Sequence, residues 1–178
     1  MPTIKPFRDH SPHEVLNLFG VNGTDVSKGT LVKIATGWTT TDNLITDNIG
    51  YAYPNTVSSR YGVTARVTPT TATGDFCIGM LLHDVKETDE NGEALKFNPR
   101  KLAEMQAVLS GQACPVLTRG LVIYSGVVHT APSAGAAAYT SGNGTITTIY
   151  NGNQRVGTFL GAPDARGFAL LKLAIANV

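Results

Sequence analysis

Two cysteines and four histidines are the side chains in this sequence best suited to attack a substrate or hold a metal. Cys77 and Cys114 sit inside apolar segments and lack the C-x-x-C spacing of a redox or zinc site. An activated thiol needs positive charge or a helix N-terminus nearby, and some exposure. Both cysteines fall in the middle of strand-like runs, so buried, inert thiols are predicted. A cysteine hydrolase pairing Cys114 or Cys77 with His83 or His129 is the catalytic rival. His10 and His13 stand three apart without a third ligand beside them, and solvated histidines are expected because zinc sites need three or four ligands.

The carboxylates give no stronger signal. Glu87-Thr88-Asp89-Glu90-Asn91-Gly92 opens like a calcium loop, but its twelfth position is Asn98 instead of a bidentate Glu. An acidic hairpin turn is predicted there. Asp75, Asp84 and Asp164 lie near glycines or prolines and read as turn formers. The chain has no G-x-S-x-G, no P-loop pattern and no usable G-x-G-x-x-G. These residues point away from an enzyme, and no catalytic, cofactor-binding or metal residue is assigned.

Elements that would position any site are mostly strands. Tyr61, Val63, Ala65 and Val67 share one face of a period-two run over Val57–Thr68, with Arg60, Thr64, Arg66 and Thr68 on the other. Thr30–Ala35 alternates with Lys33 turned away from Val32 and Ile34. Phe76–His83, Ala113–Arg119, Leu121–Val128, Thr145–Tyr150, Arg155–Leu160 and Gly167–Ala176 are further strands. In the last, Ala169, Leu171, Leu173 and Ile175 line one side and Lys172 marks the other. Asn22-Gly23, Asn91-Gly92, Asn143-Gly144 and Asn151-Gly152 supply turn residues that tolerate positive φ.

Two helices are predicted. Ser11-Pro12-His13-Glu14 has the residues of a capping box, and Val15, Leu18 and Phe19 give one apolar side to a short helix that Gly20 ends. A longer amphipathic helix spans about 98–110: Asn98 caps it, Pro99 opens it, Leu102, Met105, Val108 and Leu109 form its stripe, and Gly111 stops it. It is expected to lie against the barrel and close an open end. The fold class is therefore mainly β, a small β-barrel or sandwich with one amphipathic helix, a short N-terminal helix and an extended N-terminal arm. Residues 1–20 form the arm and short helix, and 21–178 a single β-rich domain.

A weak internal repeat runs through that domain. Ser27-Lys28-Gly29-Thr30-Leu31-Val32-Lys33 matches Ser133-Ala134-Gly135-Ala136-Ala137-Ala138-Tyr139 in pattern, and Ile78-Gly79-Met80-Leu81-Leu82 matches Val156-Gly157-Thr158-Phe159-Leu160. Gly29 and Gly79 are 50 residues apart, Gly135 and Gly157 only 22, so a true repeat carries a 28-residue insertion in its first half. That insertion falls mostly in the Thr-rich 38–73 stretch and belongs on the surface, where insertions carry contacts. Chance likeness between glycine-punctuated strands is the competing explanation.

Bulk composition narrows the partners. A chain of 178 residues with 42% hydrophobic content suits one domain with a sizeable core. Fourteen basic against thirteen acidic residues leave a formal charge of +1, without the basic clusters that phosphate backbones require. Nucleic acid is not expected as a partner. No stretch approaches the roughly 20 apolar residues of a membrane span, and the first residues lack the apolar core of a signal peptide. A protein made and kept in a cytoplasm-like compartment, without a membrane partner, is expected. Charged residues make up 15%, against about 25% in an average soluble protein. Such a surface is weakly self-repelling and compatible with assembly.

Four segments together resemble the small head decoration, or cement, proteins of tailed bacteriophages. They are Val26-Ser27-Lys28-Gly29-Thr30-Leu31-Val32, Ile78-Gly79-Met80-Leu81-Leu82-His83-Asp84-Val85, Cys114-Pro115-Val116-Leu117-Thr118-Arg119-Gly120 and Arg155-Val156-Gly157-Thr158-Phe159-Leu160-Gly161-Ala162. The resemblance spans most of the chain and lies in short strands around glycine-led steps. It implies a structural virion protein that sits on the capsid exterior as a homotrimer and bridges major capsid subunits, with no cofactor. Met1–Phe19 is then expected to dock on the shell by adding an extended strand to a capsid edge, with Lys5, Phe7 and Arg8 as the capsid-binding side chains. The alternative is a small β-barrel module that binds carbohydrate or a host-surface ligand, with Trp38, Tyr51, Tyr53 and Tyr61 as its aromatic platform.

Overall fold

The computed structural model describes residues 2–21, 25–39, 64–71 and 74–175, and they are mainly β. In chain order the strands are β1 (Thr3–Pro6), β2 (Val15–Val21), β3 (Asp25–Val26), β4 (Leu31–Thr39), β5 (Thr64–Pro69), β6 (Cys77–Leu81) and β7 (Asp84–Lys86). After a six-residue helix, α1 (Pro99–Glu104), come β8 (Ala107–Val108), β9 (Ala113–Leu117), β10 (Arg119–Ser125), β11 (Val127–Val128), β12 (Ala137–Thr140), β13 (Ile146–Thr147), β14 (Arg155–Phe159) and β15 (Ala169–Ala174). β2-β5-β4-β6-β9 closes into a barrel. A seven-stranded sheet has the order β1-β10-β15-β14-β12-β13-β11, and β3-β7-β8 form a small third sheet.

The seven-stranded sheet is a second copy of the barrel. β11 continues β10 beyond Gly126 and pairs in parallel with β13, so this sheet also returns to its starting strand. Strand partners correspond residue by residue. Leu31 faces Met80, Met80 faces Leu117 and Leu117 faces Val15 in the first copy. Ala137, Thr158, Lys172 and Leu121 follow in the same order in the second. The parallel pair Val21–Val67 has its counterpart in Val127–Ile146. Even the register shift after Val32 recurs after Ala138. The repeat in the sequence is therefore a structural duplication.

Two glycine positions explain why the repeat is legible. Gly29 and Gly135 both adopt positive φ, 89° and 83°, in the turn leading into β4 and β12. Their N–H groups donate to Leu81 O and Phe159 O, each at 2.8 Å. Gly79 and Gly157 let neighbouring strands cross closely: an added Cβ at Gly79 would stand 2.8 Å from the Leu117 carbonyl oxygen, and one at Gly157 would run into that of Lys172. Side chains there would force backbone apart.

Each barrel fills itself with the inward faces of its strands. Val21, Val32, Val67, Leu81, Cys114 and Val116 fill the first; Val122, Tyr124, Ala138, Ile146, Phe159 and Leu171 fill the second. The two are joined head to tail. Leu31, Met80 and Leu117, with Val15 at the margin, form an outward row on the first barrel that packs into the core of the second. The matching row on the second barrel, Ala137, Thr158, Lys172 and Leu121, is half-buried or exposed. Leu31 and Val32 are thus both fully buried, on opposite faces of β4, while Ile34 is 49% exposed. The expected Lys33-outward alternation breaks at the register shift.

Both predicted helices are corrected. The capping box at Ser11 is present, with Ser11 N–H donating to the Glu14 carboxylate at 3.0 Å. It opens only a 3-10 turn, Pro12–Glu14, and Val15–Val21 runs on as β2. One turn satisfies the box, and the alternating Leu16 and Leu18 suit a barrel strand better than a helix face. The 98–110 helix stops at Glu104. Asn98 does cap it, accepting from Lys101 N–H at 3.3 Å. Gln106 then takes positive φ of 52°, and Ala107–Val108 pairs with β7. Leu102, Met105 and Leu109 are still packed together with Leu95 and Ala107, as a satellite cluster.

Strands are otherwise where the alternation puts them. Ala65 and Val67 are buried on β5 with Arg66 and Thr68 half-buried between them, and Ala169, Leu171 and Leu173 are buried on β15 with Lys172 exposed. The Val57–Val63 part of the predicted strand, most of the 38–73 insertion and the Asn22-Gly23 turn lie outside the described residues.

Candidate interaction surface

The N-terminal segment is extended, but it belongs to the molecule's own sheet. Thr3–Pro6 pairs antiparallel with Val122–Ser125 of β10. Ile4, opposite Tyr124, is 2% exposed and part of the second barrel's core. On its other side β1 touches the first barrel, where a Cβ on Gly29 would come within 3.1 Å of the Thr3 backbone. β1 is a wedge between the two barrels, so donating it to a shell edge would uncover Tyr124.

Of the three predicted capsid-binding residues, Lys5 lies on β1 and Phe7 and Arg8 follow directly after it; all three are exposed. Lys5 is exposed, with its Nζ 4.4 Å from the centre of the Phe168 ring. Phe168 ends a turn organised by Asp164, whose carboxylate accepts the N–H groups of Arg166 and Phe168 at 2.9 Å each. Those N–H groups, Phe168's first, hold the Asp164 carboxyl below its usual range, with smaller help from the charges of Arg166 and Lys5. Phe7 is 55% exposed, and Arg8 is exposed beside it.

A second exposed region lies around Asn153, which is itself buried. On one side is a shallow cavity of about 350 Å³ lined by His129, Thr140, Ser141, Thr147, Asn151 and Asn153. Tyr150, 68% exposed, sits at 5.3 Å from the Tyr139 ring. On the other side, Phe76, Gln154 and Arg155 border a groove of about 320 Å³ at the junction of the barrels. Gln154 ties that junction: its Oε1 accepts Cys77 N–H at 2.6 Å and its Nε2 donates to Cys77 O at 3.3 Å.

The candidate nucleophiles are not set up for attack. Burial pushes the thiols of Cys77 and Cys114 up to about 12. Cys114 Sγ lies 3.9 Å from the backbone oxygen of His83, and its contact is with that carbonyl. His83, half-buried, has its pKa lowered by desolvation and by the charge of Lys28. The ring nitrogens of His10 are buried against Gly120, and among the described residues neither has a hydrogen-bond partner. Groups of His, Cys, Asp or Glu able to hold a metal are absent among the described residues.

Asp89, Asp75 and Asp164 organise turns as predicted, whereas Asp84, read as a turn former, opens β7 and takes its hydrogen bond from the distant Lys28 backbone. Asp89 accepts the N–H groups of Asn91 and Glu93 at 2.8 Å each and pairs with Lys101. The Lys101 ammonium is the main cause of its lowered pKa. Asp75 accepts from Thr71 N–H at 2.7 Å and Lys33 Nζ at 2.8 Å, and Asp84 accepts Lys28 N–H at 2.7 Å. Tyr51, Tyr53, Tyr61 and the side chain of Trp38 lie outside the described residues, so the aromatic platform is not placed.

Sequence reasoning missed the edge of β2. Leu16 and Leu18 are the first-barrel counterparts of Val122 and Tyr124, by the pairing of Leu16 with Val116 and of Val122 with Leu171. The latter pair is fully buried, the former only half-buried. Their alternation across Asn17 was the available signal, obscured by the capping box just before it. No protein-family model, curated protein or solved structure matches the chain.

Proposed function

We propose that the chain is a structural virion protein that sits on the outer surface of a tailed-phage head as a homotrimer, bridging major capsid subunits. The observation that carries this reading is a weakly charged surface combined with seven exposed large apolar side chains among the described residues: Phe7, Ile34, Phe76, Phe97, Ile149, Tyr150 and Leu160. Scattered singly, such residues need no explanation; several on a surface with few charges suit burial against other subunits. The resemblance in the glycine-led strands supports the choice of shell over other lattices.

The mechanism is multivalent clamping. One chain on one shell subunit holds weakly, because each contact must overcome lost translational and rotational freedom. Three linked chains make the second and third contacts intramolecular, with an avidity gain on the order of 100-fold or more. Lys5, Phe7 and Arg8 act as gripping side chains on and just after a strand that is paired into the sheet, which lowers the ordering cost of contact. The duplicated barrel makes each chain a stiff two-barrel strut, suited to spanning a seam between subunits.

The test is to size the purified chain and sediment it with heads that lack it. A trimer that pellets with heads supports the reading; a monomer that stays in the supernatant refutes it. A second reading, a module for carbohydrate or a host-surface ligand, is favoured by the polar cavity beside Tyr150. Saturable binding of an oligosaccharide with shifts confined to His129, Tyr150 and Asn153 would select it.

A further inference from the structure

Three Asn-Gly pairs among the described residues sit in turns, and they differ in what the glycine nitrogen does. Gly92 N–H donates to Asp89 O at 3.2 Å, in a turn whose neighbouring N–H groups the Asp89 carboxylate also holds. Gly144 is buried and its N–H donates to Thr70 O at 2.8 Å. Gly152 is exposed with open space around it, and its N–H has no acceptor among the described residues. The Asn151 carboxamide beside it is exposed and enters no hydrogen bond among the described residues. Only the Asn151 backbone N–H is held, by Asn153 Oδ1 at 2.7 Å. Asn151 also borders the cavity of about 350 Å³.

We infer that Asn151-Gly152 is a site of spontaneous modification in the folded chain, where Asn151 converts through a cyclic imide to aspartate and isoaspartate. The Gly152 nitrogen gives its proton to solvent base and attacks Asn151 Cγ. That C–N bond closes a five-membered ring while the bond to the carboxamide nitrogen breaks, and ammonia leaves. Water then opens the ring at Cγ, giving aspartate, or at the Asn151 backbone carbonyl, giving isoaspartate. Water is the only co-reactant. Glycine suits the attacking side because it has no Cβ to crowd the ring. A nitrogen that already donates a hydrogen bond in a packed turn reacts only after that turn opens locally. Asn91 and Asn143 are protected in this way, and Asn151 is not. The product replaces a neutral amide with a carboxylate, which takes the formal charge of the chain from +1 to zero. That charge falls on a cavity bordered by His129, Thr140, Ser141 and Asn153, next in sequence to the exposed Tyr150. Ageing therefore alters the surface around Asn153 and spares the turns at Asn91 and Asn143. None of this depends on binding to a shell.

Peptide mapping by tandem mass spectrometry tests this on the full chain, aged at mildly alkaline pH both native and unfolded in guanidinium. Each site is followed separately by the mass gain of amide-to-acid conversion. Unfolded, the pairs at Asn91, Asn143 and Asn151 should convert at comparable rates, because no turn holds any of the glycine nitrogens. In the native chain Asn151 should convert at least about 10-fold faster than Asn91 or Asn143, whose nitrogens are freed only by local opening. Isoaspartate should appear at position 151, detected by an isoaspartate-specific methyltransferase, since only ring opening produces it. Native Asn91 or Asn143 converting as fast as Asn151 overturns the inference, because the glycine hydrogen bonds then protect nothing. An Asn151 that reacts in guanidinium but stays intact in the native chain overturns it too, because the folded turn then shields it. Aspartate without isoaspartate at 151 would mean direct hydrolysis and would also overturn it.

Discussion

Leu117 and Lys172 occupy the same place in the two barrels, each facing its strand neighbours in the same register, yet Leu117 is fully buried and Lys172 is exposed. The first barrel uses this row to dock into the second. The second barrel ends the series with a charge. A head-to-tail contact between like units does not close on itself, so an apolar row on both copies would let further copies add.

Truncating the buried member should therefore cost far more than truncating the exposed one. Leu117→Ala is expected to destabilise by about 2–5 kcal/mol, the range for large-to-small core changes. Lys172→Ala should stay within about 0.5 kcal/mol, as surface changes do. Urea unfolding of the two variants measures the difference. Similar losses would mean that the row is not an interface between barrels.

Converting the polar row should release assembly. Thr158→Met combined with Lys172→Leu gives the second barrel the face of the first. An apolar row in place of a polar one would seek the burial that the first barrel's row already has, so concentration-dependent association is expected in sedimentation velocity. A double variant that sediments like the unaltered protein would contradict the head-to-tail account.

Gln154 holds the backbone of Cys77 at the start of β6. Gln154→Ala removes both hydrogen bonds to Cys77, one to its N–H and one to its carbonyl. Leaving such groups unpaired costs about 1–3 kcal/mol. Gln154→Glu keeps the acceptor but loses the donor, and should fall between. Thermal unfolding orders the three proteins; a Glu variant no better than Ala would mean that the N–H bond contributes nothing.

The buried thiols predict an alkaline limit to stability. Cys77 and Cys114 are pushed up to about 12 by desolvation, and burial raises Tyr124 in the same direction. Unfolded cysteines ionise from about pH 8.5. Between there and pH 12 the folded state holds more protons than the unfolded one, so stability is full below about pH 8.5 and falls as pH rises. Native protein at pH 7.5 should resist a thiol reagent that modifies both cysteines in 6 M guanidinium, a concentration of about the size that unfolds even hyperstable domains. Rapid labelling of the native chain would revive the cysteine hydrolase.

Strand alternation carried most of the fold because side chains point in and out with period two whatever the tertiary context. Ala169, Leu171 and Leu173 against Lys172 could be read directly. The duplication was also legible, through Gly29, Gly79, Gly135 and Gly157, because turn geometry and close strand crossing restrict those places to glycine. The inter-barrel row was not. Leu31, Met80 and Leu117 are 49 and 37 residues apart, and only their pairing in the barrel aligns them. Ser11–Glu14 misled because a capping box specifies one turn and leaves the conformation of Val15 onward open. The helix at 98–110 was overextended because Leu102, Met105 and Leu109 fill the same small cluster with a turn and a strand between them. Lys5, Phe7 and Arg8 were read as a free arm because nothing in Met1–His10 shows that Ile4 has a pocket waiting in the second barrel.

Reconstruction by electron cryomicroscopy of heads assembled without this chain, then incubated with it, tests the central claim most directly. Added density at three-fold and quasi-three-fold positions of the outer surface, each a trimer of two-barrel subunits, is the predicted result. Decorated and undecorated maps that superimpose without extra density at saturating protein would contradict it.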